Sequence, residues 1–246
     1  MTALRHRYRD QVVAILDRIV TDQAVAMDAA RAAVVAALES DRLVYVAGSG
    51  HSHILAEEVF YRAGGIAAAQ AILDPALMLH EGAERSTQAE RESGRAEQVL
   101  ARYPVGPGDV VFVASNSGRN AYPIEMALCA RARGATTIAV TSLKHAQQIT
   151  SRHASGKRLH EVTDLVLDNA GAYGDAGLPV GTGAIEMGPT STIAGVFILN
   201  ALLAEAVDLL ARRGVNVDVY QSANIEGAEA ASEALIARWR PRIVGL

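Results

Sequence analysis

The sequence has a single cysteine (Cys129), a single tryptophan, two lysines and no long apolar run. One cysteine excludes an intramolecular disulfide and suits a reducing compartment, so a cytoplasmic location is expected. No uninterrupted apolar stretch reaches the ~18–20 residues of a membrane span. The opening MTALRHRYRDQVVAIL carries Arg and Asp where a secretory leader needs an apolar block, so no membrane partner is expected. A basic surplus is also missing. The net charge is -4, which argues against sequence-independent nucleic-acid binding, and nucleic acid is not expected as a partner. Lys144 and Lys157 are the only lysines among 23 basic residues, a bias read as codon usage of a high-GC genome. G-x-x-x-x-G-K-S/T is absent, and Gly48-Ser49-Gly50 lacks the third glycine of a dinucleotide fingerprint. Neither H-E-x-x-H nor Cys/His spacing occurs, and His51 and His53, two apart, share no helix face. No metal and no cofactor is assigned.

What remains is a globular balance: 246 residues, 50% hydrophobic and 20% charged. Val12, Val13, Leu16, Ile19 and Val20 recur at three-and-four spacing, and Met27, Val34, Val35 and Leu38 continue the pattern. Two leading helices over 1–40 are expected, the second capped by Thr21 or Asp22, packing on the core or on a partner subunit. From Asp41, short apolar runs appear at 43–47, 66–73, 110–114, 136–140 and 165–167, separated mostly by helical stretches. Alternation of this kind predicts a three-layer α/β/α domain over 41–246, with five parallel strands buried on both faces. The Gly- and Pro-rich stretch 169–192 is expected to hold no regular element. A helix from Ser191 or Thr192 to Arg213, closed by Gly214, and a last one from about Ile225 to Arg240 complete one structural domain.

Two short loops carry the chemistry. Gly48-Ser49-Gly50-His51-Ser52 follows VYVA, and Ser115-Asn116-Ser117-Gly118-Arg119-Asn120 follows DVVFVA; each opens a helix. Small residues, hydroxyls and free N–H groups at a helix N-terminus suit an anionic phosphate. In open α/β sheets both loops lie at the strand ends where ligands bind. The bland alternative is that Gly and Ser here serve only turns and caps.

These residues resemble the SIS (sugar isomerase) domain of phosphosugar isomerases and phosphosugar-binding regulators. The pattern is G-x-G-x-S after one strand, then D-x-x-I-x-x-S-x-S-G-x-T. Residues 48–52 match the first, Asp109 to Asn120 match the second, and Gly134 to Ser142 match the strand that follows. The resemblance covers roughly residues 35–215 and implies a flavodoxin-like five-stranded parallel sheet. It also implies a phosphate held by Ser52, Ser115 and Ser117, and a homodimer or tetramer with shared sites. Asn120 departs from the usual Thr or Ser, and Arg119 adds a charge, so a sulfonate or carboxylate stays open as the anion. The leading helices and the runs 168–175 and 222–224 resemble stand-alone bacterial SIS proteins that are phosphoheptose-isomerase-like. Some phosphoheptose isomerases bind zinc, which leaves open a site assembled in space.

The resemblance implies a phosphosugar ligand and, most simply, aldose–ketose isomerisation through an enediol. That chemistry needs a base to move a proton between C1 and C2. His80-Glu81-Gly82-Ala-Glu84-Arg85 follows the second strand, as the proton-transfer glutamate does in the isomerase half of glucosamine-6-phosphate synthase, and Glu81 is the expected base. Glu186 sits in E-x-G-x-x-S-T, which resembles the synthase motif that opens a helix, and is expected to line the site. A solvated ion-pair surface for Glu81 and a helix-dipole charge for Glu186 are the bland alternatives. Glu57 and Glu58 are weaker candidates, and Cys129 reads as packing. Alternatives to isomerisation are a phosphosugar lyase or deaminase, and a non-catalytic phosphosugar sensor. The 40 residues before the first strand are too few and insufficiently basic for a helix-turn-helix domain, which favours an enzyme.

Overall fold

In the computed structural model, which describes residues 3–222, 224 and 229–246, the apolar runs form one parallel sheet. Its strands are β1 (Val44–Gly48), β2 (Ala69–Ile72), β3 (Val110–Ala114), β4 (Thr136–Thr141) and β5 (Leu165–Asp168), in the order β2-β1-β3-β4-β5. All four pairings are parallel. Because the chain first crosses outward to β2 and then returns past β1 to β3, the topology switches direction between β1 and β3. There Gly48 pairs in register with Ala114. Such a reversal leaves a crevice at the carboxyl ends of the two strands.

The strands are continuously buried because both faces are covered. Val44, Val46, Phe112, Ile138, Val140 and Leu167 pack with α1 (Leu4–Asp22), α2 (Ala24–Glu39), α3 (His53–Val59) and α8 (Ser191–Arg212). Tyr45, Ala47, Val111, Val113 and Ala139 face α5 (Arg95–Leu100), α6 (Ala121–Ala132) and, through Trp239, α9 (Glu229–Trp239). Short helices α4 (Ala83–Ala89) and α7 (Leu143–Ala146) follow β2 and β4. The helix α8 is, by length and composition alone, long and apolar enough to cross a membrane, with a mean hydropathy of 2.0 over its richest stretch. In the fold it is the central helix of one layer, with Ile198, Leu199, Leu202 and Leu210 inaccessible to solvent. Burial of each such side chain contributes roughly 1.5–3 kcal/mol.

Two expectations change. The 169–192 stretch is not without regular structure: β6 (Leu178–Val180) and β7 (Ile185–Met187) form an antiparallel hairpin. Three-residue strands around a Gly-containing turn are too short to show a period. Pro179 is tolerated in so short and peripheral a ribbon. The junction of α1 and α2 falls at Gln23 with no side-chain cap, because Thr21 Oγ1 instead donates to Asp17 and Asp22 within the first helix. The last helix is described from Glu229; the expected start at Ile225 lies outside the described residues. By contrast α8 spans Ser191–Arg212 and is followed by Gly214 at φ +76°, as expected.

Candidate functional site

The first loop turns tightly. A Cβ on Gly48 would lie 2.3 Å from the Ser52 carbonyl oxygen, and Gly50 holds a left-handed φ of +55°. The Ser52 N–H donates to Ser49 O at 3.0 Å, closing a 3-10 turn that runs directly into α3. In the second loop Gly118 also has positive φ, +59°, and its N–H donates to Ser115 Oγ at 3.1 Å. Asn120 is the N-cap of α6, but its side chain makes no cap bond to that helix.

The two loops meet over the β1/β3 reversal. Ser52, Ser115 and Asn116 line one cleft with Asn169, Ser191 and Thr192, over a floor of Leu55, Ala114 and Val140. The polar lining is all hydroxyl and amide, with no carboxylate among these residues. Asn116 is fixed from both sides. Its carbonyl accepts from Ser142 N (3.1 Å) and Thr141 Oγ1 (3.2 Å), and its Oδ1 accepts from Asn169 Nδ2 at 3.0 Å. Asp175 accepts from Thr190 N, Ser191 N and Ser191 Oγ, so this carboxylate caps the start of α8 beside the cleft. Ser117 is half-buried, with no side-chain hydrogen bond among the described residues.

Other expected residues lie elsewhere. The Ser49 hydroxyl is turned from the cleft to Glu90, donating to Oε2 at 2.9 Å. His51 is exposed. The Arg119 guanidinium reaches Thr150 Oγ1 at 3.5 Å, with its Nε buried and unpartnered among the described residues. Glu81 ends a short 3-10 turn, Leu79–Glu81, that packs beside Gly50; its carboxylate is exposed, 3.7 Å from His80 Nε2. Glu186 lies on the exposed strand β7, opposite Pro179, on a hairpin that leans against α1 rather than in the cleft wall. Cys129, on α6, packs at the edge of the core, where burial raises its thiol pKa.

Three further residues near the cleft were not assigned to it from sequence. Glu90 sits in the polar run QAERESG and looks like surface. In the fold its carboxylate accepts from Ser49 in the first loop and Asn120 Nδ2 in the second, and burial raises its pKa. Asn169 is 2% exposed and braces Asn116 across two strand ends, a contact that only the β4/β5 pairing creates. His53 lies beneath the first loop, 3% exposed, with neither ring nitrogen hydrogen-bonded among the described residues. Burial pushes its pKa down to about 4.

Comparison with known proteins gives the same picture. Residues 7–142 match the SIS domain. A UPF0309 protein of Listeria monocytogenes is 42% identical over 238 residues, covering 97% of this chain and 96% of its own. Among solved structures, a phosphoheptose isomerase from Neisseria gonorrhoeae aligns with a TM-score of 0.55 at 17% identity, covering 84% of this chain and all of its own. The sugar isomerase domain of an RpiR transcription factor from Sphaerobacter thermophilus aligns at a TM-score of 0.51 and 17% identity, covering 96% and 98%. These distant structures share the fold. With the doubly covered 2-1-3-4-5 sheet and two serine loops at its reversal, the match over more than half of its length makes this chain a member of the SIS domain family.

Proposed function

We propose that this protein binds a phosphosugar in the cleft between the two serine loops and isomerises it between aldose and ketose through an enediol. The observation that carries the reading is the convergence of Ser52, Ser115, Asn116 and Ser191 on one cleft at the β1/β3 reversal. Hydroxyls, amides and helix N-termini suit a phosphate. The Neisseria enzyme of the same fold is a phosphoheptose isomerase, which supports a phosphosugar as the ligand class.

Glu81 is the proposed base, since its 3-10 turn abuts the first loop at Gly50. Glu186, exposed on the hairpin, has less support as a contact to the sugar. Proton transfer between C1 and C2 needs a carboxylate within hydrogen-bond reach of either carbon-bound proton. One observation favours a second reading, a phosphosugar sensor without turnover: the cleft wall contains no carboxylate among its lining residues.

One assay separates the two. A thermal-shift screen over pentose, hexose, heptose and amino-sugar phosphates identifies a ligand, because tight binding raises apparent stability by mass action. The bound sugar is then followed in deuterated water. Exchange of its C2 proton establishes enolisation, whereas tight binding with no exchange establishes the sensor. No stabilisation by any phosphosugar overturns both readings.

A further inference from the structure

Glu90 is tied to both anion loops at once. Its Oε2 accepts from Ser49 Oγ at 2.9 Å, its Oε1 accepts from Asn120 Nδ2, and its backbone carbonyl accepts from Tyr122 N at 3.0 Å, inside the first turn of α6. Ser49 and Asn120 are themselves nearly inaccessible, at 7% and 6% exposure. The second loop is held further from outside: Arg152 Nη1 donates to Asn120 Oδ1 at 3.1 Å, and Arg152 N donates to Arg119 O at 2.8 Å. Arg91 and Arg152 supply the positive charge nearest the Glu90 carboxylate.

A carboxylate beside an anion site opposes the anion it is meant to help, so its presence calls for a compensating role. Neither loop is braced across the crevice by the sheet, because the β1/β3 ladder ends at Gly48 and Ala114. Beyond that point Ser49 and Asn120 are linked through the Glu90 side chain. Hydrogen bonds to an ionised acceptor are about twice as strong as neutral ones. A half-buried carboxylate with one donor from each loop therefore fixes their separation before any ligand arrives.

We propose that Glu90 is a positioning residue that straps the first serine loop to the second and so preforms the anion cleft. This rests on the cleft being the anion site, and the experiment keeps the two claims apart. Glu90→Ala removes both acceptors. Glu90→Gln keeps one acceptor for Asn120 and offers its amide N–H₂ to the Ser49 hydroxyl, which accepts as readily as it donates. Ser49→Ala cuts a single arm and changes one small side chain, so it remains informative if Glu90→Ala does not fold.

Two measurements are made on the full chain. The first is amide hydrogen exchange without ligand, over segments 47–53 and 114–121. Glu90→Ala is expected to speed exchange in both segments at least tenfold, Ser49→Ala in the first only, and Glu90→Gln is expected to restore near wild-type protection. The second is calorimetric titration with inorganic phosphate. Affinity is expected to fall roughly 10- to 100-fold in Glu90→Ala and to change less than about threefold in Glu90→Gln, the loss of charged hydrogen bonds setting that scale. Wild-type exchange in a folded Glu90→Ala, or in Ser49→Ala where Glu90→Ala does not fold, overturns the strap. So does a Glu90→Gln as unprotected as the alanine variant. If the exchange pattern is as expected but the wild-type protein binds no phosphate, the strap stands and the anion reading of the cleft fails.

Discussion

Ser117 occupies the centre of the second loop with its hydroxyl uncommitted among the described residues, the state expected of a donor kept for a ligand. Losing one hydrogen bond to a charged group costs about 1.5–3 kcal/mol, so Ser117→Ala should weaken phosphosugar binding roughly 10- to 150-fold. Calorimetry giving the wild-type affinity would remove Ser117 from the site. Glu81→Gln keeps shape and removes basicity, so it should spare binding while cutting turnover by roughly 10²–10⁴-fold if Glu81 is the base. Loss of affinity with kcat intact would instead make Glu81 a binding group. His53 makes a prediction about stability alone. Its folded pKa of about 4 lies below the 6.5 of an unstructured imidazole because burial penalises the cation. The stabilisation from keeping it neutral is therefore complete above pH 6.5 and is lost as pH falls toward 4. The loss approaches about 3 kcal/mol. Denaturation of wild type and His53→Leu at pH 7 and pH 4.5 should show the acid loss shrinking in the variant; equal losses would mean His53 does not titrate in this window. The candidate site was legible in sequence only where its residues are contiguous in the chain. Ser52, Ser115 and Asn116 stand in contiguous loops with a recognisable pattern, whereas Glu90 and Asn169 reach the site through tertiary contacts that no spacing records.

The strand-to-helix turn after β1 is the element on which the cleft depends, and its two glycines act for different reasons. At Gly48 a methyl group would collide with the Ser52 carbonyl at 2.3 Å, and backbone on both sides cannot give way. Gly48→Ala should cost about 3 kcal/mol, the upper end of overpacking penalties. At Gly50 there is room, with Leu79 Cδ2 at 3.9 Å, but φ is +55°, so Gly50→Ala should cost only the left-handed penalty of about 1–2 kcal/mol. Denaturant midpoints at constant slope measure both, and a Gly50 variant less stable than the Gly48 variant would reverse this assignment. Elements of this kind are where sequence reading works well. Runs such as VVFVA and TTIAV are apolar on both faces because helices cover both sides of a parallel sheet, and β3 falls on the expected residues. The β6/β7 hairpin escapes the same reading because three residues per strand carry no period. The end of α1 escapes it because Thr21 bonds within its own helix.

At the scale of the molecule, α8 runs from the cleft to a mostly apolar groove. Its first residues, Ser191 and Thr192, line the cleft between the serine loops, and its later ones, Leu203, Ala204 and Val207, line a groove of about 540 Å³. Val59 and Ile66 face them across that groove, with Val219. The leading helices add further uncovered apolar surface: Val13, Val20 and Val25 are 47%, 60% and 85% exposed. A single exposed valine needs no explanation, but an apolar groove together with apolar helix positions is more than one sheet and its helices cover. We predict that the protein is a homodimer with its clefts near the interface. A stable interface buries at least ~1,000 Å², which the groove alone does not supply, so the flanking exposed side of α8 should take part. Ala204 is an exposed position on the groove wall, so a charge placed there leaves the buried face of α8 unchanged. Light scattering at micromolar concentration should give about twice 25.9 kDa for wild type. Ala204→Glu should approach the single-chain mass with an unchanged helical circular-dichroism signal. If Ala204→Glu stays dimeric while Val20→Glu dissociates, α1 rather than α8 carries the contact, and a wild-type protein that runs as a monomer ends the prediction.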